Sequence, residues 1–326
     1  MSKAFRLGVI SMGPNDAMSW YRSLGPLSQL ARHGLREGFT FAQLMPGNPS
    51  WANVYACDGI FMQRGHTPEA LAWVKVAKSC GLKVWLDYDD DLLNLPPEHP
   101  AYHVFVGTRH YVEQMLVAAD VVSVSTPKLK ESYDRYNKDI RVIPNAMDDY
   151  FVNAVEKPAD MYDTKRLAWR GGFSHREDLE LARSLFTRED YRVVYFGHNP
   201  PWIRLKHDDM FAWSDIPLYL LNLVRSAAGT LVVPLKNNLL NQAKSNCSWL
   251  EATWFGLATA HVHDGTPLPE FTRPGILSEA QLLEANQHTL WAAREASLKD
   301  IRENYLLSNV NRQRAEIIEQ LSWWRT

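Results

Sequence analysis

Four carboxylates crowd the segment Asp87-Tyr88-Asp89-Asp90-Asp91, directly after the apolar run Lys83-Val84-Trp85-Leu86. Like charges this close raise one another's pKa values unless a cation or hydrogen-bond donors intervene, so the cluster points to function. Three uses fit it. An Asp-x-Asp pair could hold a divalent metal, although that belongs to a one-domain architecture this chain does not show. Asp87 and Asp89 could serve a metal-dependent phosphohydrolase, but Asp91 stands where that pattern expects Thr or Val. The third use places the acids on a cleft wall, where they position or deprotonate an acceptor hydroxyl. We favour this one, with Asp89 and Asp90 as catalytic candidates and Asp91 as an acceptor contact.

Two other segments have the chemistry to hold an anion. In Leu239-Leu240-Asn241-Gln242-Ala243-Lys244-Ser245-Asn246-Cys247-Ser248-Trp249-Leu250-Glu251, a polar loop runs into a helix expected over 245–255, with Ser245 as its cap. A helix N-terminus presents free N–H groups and a partial positive charge, which suits phosphate. Lys244 would add a full charge, and the Glu251 carboxylate could accept bonds from both hydroxyls of a ribose. An ordinary surface Lys and Glu beside a helix competes with this reading on spacing alone. In Trp169-Arg170-Gly171-Gly172-Phe173-Ser174-His175, a strand enters a diglycine turn. Glycines let backbone approach a ligand closely, and Arg170 can pair with phosphate. His175 is a third catalytic candidate, although a capping or surface role suits it as well.

Smaller pieces extend the pattern. Ser11-Met12-Gly13-Pro14 follows the first strand, Tyr21-Arg22 opens the next helix, and Gln63-Arg64-Gly65-His66 follows the third strand. Arg22 and Arg64 are read as acceptor contacts. There is no Gly-x-Gly-x-x-Gly run, so a nicotinamide or flavin enzyme gains no support.

The elements that would carry these residues are legible as a repeated alternation. Strands are expected at 5–10, 40–44, 59–62, 83–87, 121–125 and 141–143, with helices between them. The alternation restarts at 166–169, 192–196, 230–235 and 258–262, and the tail from 287 to 324 reads as two further helices. Short apolar runs separated by helices indicate parallel α/β sheets. The polar, proline-containing stretch around 145–160 suits a linker. We therefore expect an α/β protein of two Rossmann-like doubly wound domains facing a cleft, one at 1–150 and the other at 160–286. C-terminal helices at 287–326 would pack back on the first domain.

Three cysteines without a CxxC spacing fit reduced thiols of a cytoplasmic protein, and no apolar run is long enough to span a membrane. The formal net charge of -2 carries no global signature of nucleic-acid binding.

The pattern N-x-x-K-S-x-x-x-W-L-E-x-x-x-x-G, at 241–256, resembles the donor-site segment of family 4-like GT-B glycosyltransferases. In that family the lysine region meets the donor diphosphate and the glutamate holds the ribose; Lys244 and Glu251 match those positions. Many members carry a second acid eight residues before the glutamate, where this chain has Ala243. With the Y-R, Q-R, D-x-D-D-D-L and W-R-G-G-x-S-H-x-x-D-L pieces, residues 5–262 resemble a subgroup associated with bacteriophage genomes. The resemblance implies a GT-B fold, with 1–150 as the acceptor domain and 160–286 as the nucleotide-sugar domain, and transfer of a hexose or pentose from a nucleotide-diphosphate sugar, without metal or other cofactor and with retention. It makes hydroxymethylated pyrimidines in phage DNA credible acceptors and the host cytoplasm the expected location. A non-catalytic nucleotide-sugar-binding protein is the alternative that Ala243 raises.

Overall fold

The computed structural model describes residues 4–14, 16–33, 37–47, 49–198, 200–202, 209–212 and 214–322. The alternation of apolar runs and helices is realised as two parallel sheets. In the first, β1 (Phe5–Ile10), β2 (Phe39–Gln43), β3 (Gly59–Gln63), β4 (Lys83–Tyr88), β5 (Val121–Val124) and β6 (Ile140–Val142) lie in the order β2-β1-β3-β4-β5-β6. In the second, β7 (Arg166–Gly171), β8 (Arg192–Gly197), β9 (Met210–Phe211), β10 (Thr230–Leu235), β11 (Ala258–His263) and β12 (Ile276–Ser278) lie in the order β12-β11-β10-β7-β8-β9. Among the described residues every strand pairing is parallel.

Each sheet is buried on both faces, which is why its strands read as continuous apolar runs. Phe61, Trp85 and Val121 enter one core, while Ile60, Met62, Val84, Leu86 and Val122 enter the opposite one. In the second sheet Leu231 and Val233 face one core, and Trp169, Tyr195 and Val232 the other. The two strands missed in sequence, β9 and β12, are edge strands of two and three residues, too short to show a period.

The helix expected over 20–33 is two helices, Ala17–Arg22 and Leu24–Arg32. Pro26 lacks an N–H and its ring conflicts with the carbonyl four residues back, so one continuous helix cannot pass through it. A Cβ on Gly25 would lie 2.2 Å from the Trp20 carbonyl oxygen, so the second helix starts only because that residue is glycine. The break sends Tyr21 and Arg22 inward together.

The last helix, Leu307–Ser322, puts Leu307, Val310, Ile317, Ile318 and Leu321 into one core with Phe5, Leu7, Val9 and Leu27 of the first sheet's layer. The chain thus returns across the linker, where Met147 and Leu306 form a parallel bridge. Residues 323–326, the end of the expected tail, lie outside the described residues. No described helix is long and apolar enough to cross a membrane.

Candidate active site

Strand order places the site. In the second sheet β7 lies between β10 and β8, so chain direction diverges between β7 and β10; in the first it diverges between β1 and β3. Open α/β sheets bind ligands outside the carboxyl ends of strands at such points. Both points open onto one cleft of about 350 Å³, lined by Asp16, Arg64, Asp89 and Asp90 on one side and Arg170, Gly171, Gly172, His175, Lys244 and Ser245 on the other.

The four acids divide between two arginines. Asp87 is buried and receives Arg22 Nε at 2.9 Å and Nη2 at 2.7 Å. Arg22 also donates to the Ile143 carbonyl and to Asn145. With an exposure of 0% it does not reach the cleft, which corrects its reading as an acceptor contact. Asp91 is likewise no acceptor contact. It is buried and closes its own loop, accepting from Leu93 N at 3.1 Å and Asn94 Nδ2 at 2.7 Å.

Arg64 stands in the cleft, because Gln63 at the end of β3 is in register with Asp87 of β4. It grips Asp89 through Nε and Nη2 and Asp90 through Nη2. Its φ of 51° lies in the left-handed region that a non-glycine residue rarely adopts. Asp89, buried with both oxygens on Arg64, is an anchor for that guanidinium; burial raises its pKa against the pull of Arg64. Asp90 is 28% exposed and keeps one oxygen free of Arg64. Burial works to raise its pKa, but Lys244 across the cleft and Arg64 beside it outweigh that and hold it low.

On the opposite wall, Gly171 is needed for space, since a Cβ there would lie 2.7 Å from the Trp169 ring. At Gly172 the nearest atom would be 3.9 Å away, so its side is open. His175 Nδ1 lies 2.9 Å from Asp178 Oδ2. Burial and then Lys244 push the imidazole pKa down despite Asp178, so the ring is neutral near pH 7. Its Nδ1–H donates to Asp178, and Nε2 is left as an acceptor. Asp178 is itself held by Lys236 N and Asn241 Nδ2.

The helix after Lys244 is Cys247–Trp254, with Asn246 as its N-cap in place of Ser245. The Asn246 side chain makes no cap bond, so among the described residues no cap takes the first N–H groups, which lie beside Lys244 and Ser245. Ser245 Oγ receives Asn145 Nδ2 at 2.9 Å from the linker. Ala243 is fully buried in a core that also holds Val124 and Leu129 of the first domain, and its carbonyl accepts from Thr126 Oγ1 at 2.8 Å. An acid at this position would lose its solvation among apolar groups.

Glu251 is 0% exposed and lies at the junction of the domains, bonded to Tyr21, Arg170 and Tyr219. A side cavity of about 100 Å³ adjoins the cleft, lined by Arg170, Phe196, Gly197, Ser214 and Tyr219. Tyr219 escaped the sequence reading because Ile216–Arg225 is an amphipathic helix on which an aromatic reads as core. Asp178 had no signal beyond its spacing of three from His175. Among the described residues no group of three His, Cys, Asp or Glu side chains gathers as a metal would need.

No protein-family model and no curated protein matches the sequence. Solved structures do match in shape. An alpha-glucosyltransferase of phage T4 in complex with UDP aligns with a TM-score of 0.66 at 11% identity, over 97% of this chain and 100% of that one. An alpha-glucosyltransferase with UDP and a 13-mer DNA containing a HMU base gives 0.66 at 12% identity with the same coverage. TarM of S. aureus gives 0.58 at 12% identity, over 81% of this chain and 57% of that one. At such identities the likeness speaks for architecture: this chain has the GT-B fold, two Rossmann-like α/β domains that face each other across a cleft.

Proposed function

We propose that the protein is a glycosyltransferase that moves a hexose from a UDP-sugar to a hydroxyl acceptor, without a metal and with retention of configuration. One observation carries the reading. Lys244, Arg170, the diglycine turn and an uncapped helix N-terminus converge on the cleft that Asp90 and Arg64 line from the other domain. That is a grip for a diphosphate on one side and for a polar acceptor on the other. The UDP-bound structural neighbours supply the choice of nucleotide.

The diphosphate gains charge as the sugar departs, and fixed positive groups aimed at it stabilise that charge, commonly by about 3 kcal/mol per key donor. With retention, the acceptor oxygen enters on the face that the diphosphate leaves. The departing diphosphate oxygen is then within reach of the acceptor proton. Asp90, held as a carboxylate, orients the acceptor hydroxyl as a hydrogen-bond acceptor; its low pKa makes it a poor general base. His175 Nε2 accepts from a hydroxyl of the sugar. Arg64, anchored by Asp89 and Asp90, is the acceptor-side cation.

For the acceptor we propose a hydroxymethylated pyrimidine in DNA, as in the neighbour described with a HMU-containing 13-mer. The phosphohydrolase alternative loses its basis, because Asp87 is buried on Arg22 and Asp89 is closed by Arg64. The test is incubation of the purified protein with radiolabelled UDP-glucose and duplex 13-mers with or without a hydroxymethylated base. Label on the modified duplex alone is the expected result. UDP-glucose left intact, with no label on DNA, would refute the reading, and hydrolysis without transfer would refute the acceptor.

A further inference from the structure

One apolar ring is held in the open at the rim of the cleft. Phe173 follows the diglycine turn and is 53% exposed. Gly172 and Ser174, on either side of it, line the cleft. A solitary exposed aromatic is ordinary on a protein surface, but this one is braced. The Arg176 guanidinium lies over its ring, 4.9 Å from the centroid. The His198 ring meets it at 5.3 Å, with 82° between the two planes. His198 is itself tied to the turn, since its backbone N–H donates to the Gly171 carbonyl at 2.9 Å. A ring with a fixed place and no cover can receive a flat partner at little cost in side-chain freedom.

Its neighbours indicate the kind of partner. Gly172 has extended backbone that any residue adopts, and a Cβ there would meet nothing closer than 3.9 Å. Neither strain nor crowding calls for glycine, so the turn leaves open room next to the ring. Arg176 is 44% exposed, and its contact with Glu177, at 3.5 Å, is loose and shared with Lys236. The guanidinium therefore keeps donors for an anion. A ring for a base and a cation for a phosphate is the combination that holds single-stranded nucleic acid.

We propose that Phe173 is a platform on which a nucleobase of the acceptor strand stacks, with Arg176 meeting a phosphate of that strand. This rests on the acceptor reading above and adds to it a contact on the second domain. Asp90 and Arg64 line the cleft from the first domain, so the strand spans both walls. Stacking supplies affinity that a chain of net charge -2 cannot draw from its overall field.

The test is fluorescence anisotropy of a labelled, hydroxymethylated 13-mer DNA, single-stranded and duplex, beside calorimetric titration of UDP. It compares the wild type with Phe173→Ala, Phe173→Trp and Arg176→Gln. Phe173→Ala is expected to weaken DNA binding about tenfold while UDP affinity stays within about twofold. Phe173→Trp, with a larger π face, is expected to bind DNA at least as tightly as the wild type. Arg176→Gln is expected to make the dependence of log affinity on log salt shallower by about one phosphate's worth. Unchanged DNA affinity in Phe173→Ala, or an unchanged salt slope in Arg176→Gln, would overturn the proposal. So would a loss of UDP affinity in Phe173→Ala equal to its loss for DNA, which would place the ring at the donor. The tryptophan variant carries the test if the alanine variant does not fold: DNA affinity about tenfold below the wild type would then count against stacking. A wild type that neither binds nor labels the modified DNA would defeat the acceptor reading and the platform together. Labelling that Phe173→Ala leaves untouched, with unchanged DNA affinity, would defeat the platform alone.

Discussion

At the scale of residues, charge in the cleft is set by pairs. Arg22 settles Asp87 away from the solvent, and Arg64 takes Asp89 whole and Asp90 in part. This separates two acids that stand side by side in sequence. Asp90→Asn is expected to leave UDP affinity within about threefold while slowing transfer about a hundredfold. Asp89→Asn is expected to lower stability by about 2 kcal/mol, since it leaves Arg64 with a neutral, buried partner in place of a carboxylate. Chemical denaturation beside transfer kinetics separates the two effects. His175 gives a pH dependence. Its pKa in the folded protein lies below the usual 6.5 because burial and Lys244 disfavour the imidazolium. The unfolded chain therefore takes the proton more readily, and the linked stability is lost as pH falls below the unfolded value. Protonation also removes the Nε2 acceptor. Transfer by the wild type is expected to be flat from neutral to mildly alkaline pH and to fall on the acid side, and His175→Gln, slower throughout, should lose that acid limb. A limb unchanged in His175→Gln would assign it to another group.

At the scale of elements, the strands were the most legible part, because burial on both faces gives each an unbroken apolar run. Thr230–Leu235 was read to the residue and Arg192–Gly197 to within one. What sequence could not show were side-chain destinations. Nothing in the spacing of Tyr21 and Arg22 tells that one points to Glu251 and the other to Asp87; the break after Arg22, imposed by Gly25 and Pro26, decides it. The helix cap moved from Ser245 to Asn246 because Ser245 is engaged with Asn145 of the linker, far away in sequence. The departure at Ala243 was visible, but its cause was not: the turn ending the helix Leu239–Gln242 packs into the first domain's core. Ala243→Glu, which would restore the common pattern, is expected to destabilise the protein by about 3 kcal/mol or more through a buried, unpaired charge. A melting temperature equal to that of the wild type would show that the position can open to the cleft.

At the scale of the whole molecule, the two domains are joined by more than the linker. The last helix shares the first sheet's core, Met147 pairs with Leu306, and Tyr21, Thr126 and Asn145 bond across the cleft floor. The cleft is thus the meeting place of two topological switch points, with cations on the wall of the second domain and the carboxylate of Asp90 facing them. The account depends on that wall gripping a diphosphate through Lys244. The direct measurement is the affinity for UDP of the wild type and of Lys244→Ala, taken on protein whose melting temperature shows it folded. The expected result is a loss of about thirtyfold or more on removing the amine, in keeping with a charged contact to phosphate. Equal affinity in the two proteins would contradict the account.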